Sequence, residues 1–241
     1  MRIERTRIKF CGFTRREDAL AASALGVDAI GMVLTTRSKR FAGIANARDI
    51  RRALPPFVSV VTLFMDDEPA FIAEVIATVR PDLLQFHGSE EAPDCVRYGL
   101  PYLKAVAMGR SPGAVKAMDG QERPVQAVDG RERPPGTGGD WHAVVAAHPR
   151  AAGFLFDGNA EGEQGGSGKR FDWAQLPAKL SAPVILAGGL TPENVGDAIR
   201  VAHPYAVDVS SGIESAPGTK DVEKMRRFVA AVRKEALHDS A

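Results

Sequence analysis

Long apolar runs and an excess of either charge are both missing from this chain of 241 residues. No apolar stretch approaches the roughly 20 residues that a membrane-spanning helix needs, so we expect no membrane association. The opening segment Met1–Arg5 lacks the apolar character of a secretory signal. The formal net charge is +1, from 31 Lys and Arg against 30 Asp and Glu, which gives no electrostatic basis for binding nucleic acid.

Cysteine and histidine are also scarce. Cys11 and Cys95 are the two cysteines, which is too few for a disulfide framework and is typical of a reducing cytoplasm. Of the five histidines, His87 alone follows a predicted strand, whereas a metal site needs several converging ligands. We therefore expect a cytoplasmic protein without a bound metal.

Apolar segments of strand length are present, and they alternate with helical patterns along the chain. With 44% hydrophobic residues the chain can bury one substantial core. The pattern predicts a single (β/α)8 TIM barrel domain spanning residues 1–241. An open doubly wound sheet is the alternative, but no G-x-G-x-x-G follows the first strand. The predicted strands are Ile8–Gly12, Ala29–Leu34, Val58–Met65, Leu83–Phe86, Tyr102–Val106, Ala151–Phe156, Val184–Ala187 and Ala206–Val209.

Signals for helix starts follow several of these strands. Thr14 and Glu17 have the spacing of a capping box, in which each side chain would bind a backbone N–H at the start of the helix. Pro69 suits a first helical position, because its missing N–H has no partner there in any case. These signals support the alternation of strand and helix.

A segment at about 109–140 interrupts the alternation. It contains a near-repeat, Asp119–Pro124 and Asp129–Pro134, and it is rich in Gly and Pro. Such a composition forms helix and core poorly, so we interpret the segment as an inserted surface loop. The alternative is a lid, because the loops after strands border the active face of this fold.

Three glycine clusters in the last third of the chain each lie between a predicted strand and a predicted helix. Glycine lets backbone N–H groups approach an anion, and helix N-termini are electropositive. The clusters therefore predict a site for a phosphorylated small molecule. The residues that we expect at the phosphate are Gly166, Gly168, Gly188, Gly189, Ser211 and Gly212.

Two reactive side chains end predicted strands, where the active face of a barrel lies. Cys11 ends the first strand beside Lys9, and an electropositive setting lowers the pKa of a thiol. Asp157 ends the sixth strand, and its apolar surroundings favour a protonated carboxyl that can donate a proton. Cys95 lies within a helical pattern and is interpreted as a packing residue.

Two further residues are candidates for substrate contacts. His87 follows the fourth strand and would either orient substrate or bind within the rim. Arg40 lies in the loop after the second strand, either as a solvated charge or as a forked donor for a substrate carboxylate.

Taken together, the motifs resemble the phosphoribosylanthranilate isomerase family. The likeness extends from Ile8 to about Val232 apart from the insertion. The motifs occur in the family's order at Lys9–Thr14, Ser38–Phe41, Gln85–Gly88, Phe154–Asp157, Gly165–Trp173, Leu186–Val195 and Val207–Glu214.

The resemblance implies a cofactor-free Amadori rearrangement of N-(5'-phosphoribosyl)anthranilate in tryptophan biosynthesis. It implies Cys11 as the base and Asp157 as the acid. It also implies that Arg40 and His87 line the site, with Arg40 facing the anthranilate carboxylate. We expect a small phosphorylated substrate and a monomer rather than a homodimer.

Two alternatives stay open at this point. One is an isomerase for the histidine-pathway aminoaldose, or for both substrates; those enzymes resemble a pattern with aspartate where Cys11 stands. The other is a barrel that binds a phosphorylated ligand without turnover, which the presence of both an acid and a base argues against.

Overall fold

Eight parallel strands close into a barrel, as the sequence predicts, and the open-sheet alternative is wrong. The computed structural model describes residues 5–108, 115–116, 122–123, 141–158, 171–177 and 180–238. Each strand pairs with its neighbours in chain order, and β8 closes the barrel against β1. The strands are β1 Arg7–Cys11, β2 Ala29–Val33, β3 Ser59–Phe64, β4 Leu83–Phe86, β5 Tyr102–Ala107, β6 Gly153–Asp157, β7 Val184–Leu186 and β8 Ala206–Val209.

Within the described residues, helices follow seven of the eight strands. They are α1 Arg16–Ala24, α2 Ile44–Ala53, α3 Pro69–Val79, α4 Ala92–Val96, α5 Trp141–Ala147, α6 Val195–Ala202 and α7 Val222–His238. Between β6 and β7, the part of the chain that the structure describes holds a 3-10 turn, Trp173–Gln175. A short antiparallel hairpin, which we call the Glu214–Lys220 hairpin, precedes α7.

Alternation along each strand divides the core into two layers. Outward-facing side chains pack against the helices; Phe10 of β1, for example, meets Phe228 of α7 edge-on with ring centroids 5.7 Å apart. Inward-facing side chains such as Leu155 and Ile185 fill the barrel itself. Lys9, Cys11 and Asp157 belong to the inward-facing positions of their strands, so this alternation directs them to the axis of the barrel.

The predicted capping box at α1 is wrong. The helix begins at Arg16, and its N-cap residue Arg15 makes no side-chain capping bond. The hydroxyl of Thr14 donates instead to the carbonyl of Gly218, at 2.7 Å, and so ties the start of the first helix to the Glu214–Lys220 hairpin.

Most of the predicted insertion at 109–140 lies outside the described residues. Within it, Val115–Lys116 pairs antiparallel with Glu122–Arg123. The choice between surface loop and lid therefore stays a prediction.

Candidate active site

Cys11 and Asp157 are the last residues of β1 and β6, and both lie at the mouth formed by the carboxyl ends of the strands. Around the barrel, β8 and β7 separate the two strands, so the thiol and the carboxylate approach the mouth from different sides. Both residues are more than nine-tenths buried. A Cβ on Gly31 of β2 would lie 2.7 Å from the sulfur of Cys11, so the absence of a side chain there makes room for the thiol.

The electrostatic setting of Cys11 differs from the sequence expectation. Burial raises the pKa of the Cys11 thiol; the positive charges of Lys9 and Lys220 oppose this effect, and the negative charge of Asp208 adds to it. The pKa of Cys11 lies above its ordinary value, although the sequence led us to expect that the lysine beside Cys11 lowers it. Burial disfavours the charged thiolate more than the nearby cations favour it.

Arg40 is not a solvated charge. Its side chain is 12% exposed and forms a two-pronged ion pair with Glu214, in which Nε lies 2.9 Å from Oε1 and Nη2 lies 2.8 Å from Oε2. A Cβ on Gly12 would lie 2.6 Å from Cδ of Arg40, so the arginine crosses closely over the end of β1. The guanidinium of Arg40, which was expected to bind a substrate carboxylate, thus binds the carboxylate of Glu214.

Glu214 and Lys220 are site residues that the sequence argument missed. The side chain of Lys220 is fully buried, and its Nζ donates to the carbonyl of Cys11 at 2.5 Å and to Oε1 of Glu214 at 2.8 Å. Burial lowers the pKa of Lys220, and Glu214 partly restores it. Burial also acts to raise the pKa of Glu214, but the bonds from Arg40 and Lys220 bring that pKa below its usual value. Glu214 ends the last motif segment, but no local pattern shows that it meets Lys220 beside Cys11.

On the opposite side of the mouth, His87 approaches the candidate acid. Nε2 of His87 lies 3.8 Å from Oδ2 of Asp157, and both side chains are largely buried. Nδ1 of His87 lies 3.4 Å from the side-chain nitrogen of Gln85. The structure therefore brings His87 and Asp157 together, as two candidates named from the sequence.

The glycine clusters at the ends of β7 and β8 occupy positions where a side chain would be strained or would clash. Gly188 and Gly189 have φ values of +83° and +62°, which favour glycine. A Cβ on Gly212 would lie 2.0 Å from the carbonyl oxygen of Leu190, so this position has no room for a side chain. Ser211 and Gly212 lie in the 3-10 turn Ser211–Ile213 that follows β8.

Gly166 and Gly168 lie outside the described residues. The buried hydroxyl of Ser210, beside this turn, has no hydrogen-bond partner in the part of the chain that the structure describes. The structure therefore describes the glycine segments after β7 and β8 but not the third glycine segment.

The described residues also bear on other classes of site. Among them no group of three or more His, Cys, Asp and Glu side chains is arranged to hold a metal ion. In the same portion of the chain, no helix combines the length and the apolar character needed to cross a bilayer.

Comparisons with known proteins identify the family of this chain. A family model described as N-(5'-phosphoribosyl)anthranilate isomerase matches residues 8–150 and 140–231. A relative of that name from Xanthomonas campestris is 48% identical over 235 residues, which cover 98% of this chain and 96% of the relative.

Solved structures give the same result. Phosphoribosyl anthranilate isomerase from Thermotoga maritima matches with a TM-score of 0.76 at 32% identity, covering 95% of this chain and 99% of that one. A structure of the isomerase in complex with reduced 1-(o-carboxyphenylamino)-1-deoxyribulose 5-phosphate matches with a TM-score of 0.71 at 30% identity, with the same coverage. Sequence and fold thus agree over nearly the whole length, and the chain belongs to the family of N-(5'-phosphoribosyl)anthranilate isomerases, the aldose–ketose isomerases of tryptophan biosynthesis.

Proposed function

We propose that Cys11 and Asp157 carry out the family's isomerisation as base and acid. Asp157 donates a proton to the furanose ring oxygen, and the C1'–O bond breaks to give a Schiff base. The Cys11 thiolate then takes the proton from C2', and the resulting enolamine tautomerises to the ketone. The observation that carries this assignment is the placement of one thiol and one carboxyl at the inward ends of two strands at a single mouth.

Arg40 and His87 are proposed to contact the substrate between these two groups. Arg40, Lys220 and Glu214 together carry one excess positive charge, which suits an anthranilate carboxylate even though the fork of Arg40 already holds Glu214. His87 lies beside Asp157 and suits a contact near the ring oxygen that is protonated.

The phosphate of the substrate is proposed to bind at the glycine cluster. The backbone N–H groups of Gly188, Gly189, Ser211 and Gly212 lie after β7 and β8, the usual phosphate position of this fold. Gly166 and Gly168 complete the proposed set. The product analogue bound to the solved relative carries both a carboxyl group and a phosphate, which is the pair of anions that this site would need to hold.

Turnover of phosphoribosylanthranilate, followed by loss of its anthranilate fluorescence, tests the two catalytic roles. We expect kcat to fall by about 10³-fold or more in Cys11→Ser and in Asp157→Asn, because each variant removes one proton-transfer group. Cys95→Ser is the matched control, because that cysteine is buried in α4, and it should keep full activity. An active Cys11→Ser protein would place the base elsewhere. Turnover of the histidine-pathway aminoaldose, measured in parallel, would show a second substrate.

We also propose that the chain is one domain, that it acts as a monomer and that it works in the cytoplasm. Light scattering at working concentration tests the monomer. Phe57 is fully exposed, and a dimer abolished by Phe57→Ser would contradict the proposal.

A further inference from the structure

An ion pair lies inside the barrel beneath Cys11, and no step of the proposed reaction uses it. Lys9 of β1 and Asp208 of β8 are register partners on neighbouring strands. Nζ of Lys9 lies 2.8 Å from Oδ1 of Asp208, and the two side chains are 6% and 10% exposed. Other inward positions carry apolar side chains, such as Leu103 and Leu155.

Stability alone does not explain this pair. Desolvating two charges costs several kcal/mol per ion, and apolar residues of similar volume often serve as well or better. The interior of a barrel is usually filled with branched apolar residues. A lysine and an aspartate in that position therefore call for a chemical role.

The position of Lys9 indicates that role. Lys9 and Cys11 are two residues apart on one strand, so both side chains point to the barrel axis. Nζ of Lys9 is held 2.8 Å from Oδ1 of Asp208, and the charge of this ammonium lowers the pKa of the thiol. We propose that Lys9, fixed in place by Asp208, is a positioning residue that stabilises the Cys11 thiolate; this inference rests on the proposed role of Cys11 as the base.

The charges around Cys11 show why Lys9 is needed. Burial raises the pKa of the thiol and Asp208 raises it further, whereas Lys9 and Lys220 lower it. The charge of Arg40 also interacts with the thiol. The charge of Lys9 has the strongest of the lowering effects. Without it the thiolate would be harder to form.

Burial by itself would lower the pKa of Lys9. Asp208 and Cys11 reverse that effect and raise the pKa above the ordinary value. The aspartate thus keeps the ammonium charged inside the barrel, which the proposed role requires.

The chain offers a matched control on the outer face of the barrel. Nζ of Lys104 lies 3.0 Å from Oε2 of Glu90, with side chains 5% and 7% exposed. This pair has nearly the same burial and length as the Lys9–Asp208 pair. Lys104 also donates to the carbonyl of Gly88, so it ties a loop and does not approach Cys11.

The test compares Lys9→Met/Asp208→Asn with Lys104→Met/Glu90→Gln. Both double variants remove a whole buried pair, because a single Lys9→Met change would leave Asp208 buried without its partner. The pH dependence of Cys11 alkylation by iodoacetamide is measured for each protein, with mass spectrometry separating Cys11 from Cys95. The thiolate is the reacting form, so the midpoint of the profile reports the pKa of Cys11.

The double variant also removes Asp208, which raises the pKa, but the lowering effect of Lys9 is the larger of the two. We therefore expect the midpoint to rise in the Lys9/Asp208 variant and to stay in place in the Lys104/Glu90 variant. A midpoint that does not rise, or an equal shift in the control, would overturn the inference. The pH limb on which kcat rises should move upward by the same amount. Alkylation requires no turnover, so it reports on Lys9 even if Cys11→Ser kept its activity and the proposed base were wrong.

Discussion

The two halves of the barrel mouth are held together in different ways. The half around β1 and β8 contains the candidate base and two groups of buried ion pairs, whereas the half around β6 and β7 contains the candidate acid and closely packed backbone. In the first half the charged side chains are Lys9, Arg40, Asp208, Glu214 and Lys220. In the second half the backbone N–H of Met108 donates to the carbonyl of Asp157 at 2.7 Å, and Gly188 lies against Gly158.

The difference suits the proposed chemistry. A base that must lose its proton in a buried site needs positive charge nearby. The half around β1 and β8 supplies three cations against two carboxylates. An acid that must keep its proton gains nothing from such charge and needs placement instead. We call the half with Cys11 the base half and the half with Asp157 the acid half. Side-chain changes should therefore disturb the base half, and backbone crowding should disturb the acid half.

The largest effect is expected from Gly188→Ala, in the acid half. The added Cβ would lie 2.3 Å from the backbone nitrogen of Gly158 and 2.8 Å from Oδ1 of Asp157, at a left-handed φ of +83°. Backbone atoms cannot move aside cheaply, so Asp157 should be displaced. We expect kcat/KM to fall by about 10³-fold, since a displacement of about 1 Å can already cost 10²-fold.

Gly99→Ala is the matched control for this effect. Gly99 has a similar φ of +67°, but a Cβ there meets nothing within 4 Å. It should lower the free energy of unfolding by about 1 kcal/mol and leave kcat unchanged. Equal losses of activity in the two variants would mean that backbone strain, and not the position of Asp157, explains the result.

Gly12→Ala should have a smaller effect in the base half. The added Cβ would lie 2.6 Å from Cδ of Arg40 and 2.8 Å from Oγ of Ser210, both of which belong to side chains. Arg40 can rotate away, but it would then lose its geometry with Glu214. We expect kcat/KM to fall by about 10²-fold, mostly through KM. A fall as large as that of Gly188→Ala would remove the distinction between the two halves.

Glu214→Gln tests the buried charges of Arg40, Glu214 and Lys220. The amide keeps the shape of the side chain but removes the charge that Arg40 and Lys220 share. Arg40 should lose its fixed orientation, so KM should rise by about tenfold while kcat changes little. Glu90→Gln is the control in the outer pair and should leave KM unchanged. A loss confined to kcat would show that Glu214 acts on Cys11 rather than on substrate binding.

The fold was predictable because each strand has its own local signal. Leu83–Phe86 and Ala206–Val209 were predicted with the bounds that the structure has, since short apolar runs between turn residues need no distant partner. The capping box failed for the opposite reason. Thr14 satisfies the local pattern, but its hydroxyl bonds to Gly218, which is 204 residues away in sequence.

The site was predictable in its positions but not in its contacts. Strand ends placed Cys11 and Asp157 at the mouth, whereas the partner of Arg40 is Glu214, which is 174 residues away. The pKa of Cys11 was misjudged because a sequence shows a neighbouring lysine but not the degree of burial. The catalytic roles themselves stay predictions.

The smallest effect is expected at His148, a buried neutral histidine close to the acid half. The ring nitrogen Nδ1 of His148 lies 3.3 Å from the hydroxyl of Tyr102 on β5. Burial, with a further contribution from the charge of Lys104, lowers the pKa of His148 to about 4. In the unfolded chain the pKa of histidine is about 6.5, so only the unfolded chain binds this proton between these two values. The stability that the neutral ring contributes is therefore complete above about pH 6.5 and is lost as the pH falls toward 4.

Urea unfolding of the parent and of His148→Gln at pH 7 and pH 4.5 measures this contribution. Carboxylates titrate alike in both proteins, so their effects cancel in the comparison. The parent should lose more stability than the variant on acidification, while kcat at pH 7 stays the same in both. An equal loss would mean that His148 is protonated in the folded protein. The acid half would then also hold a buried charge, and the contrast with the base half, which keeps its buried groups charged, would fail.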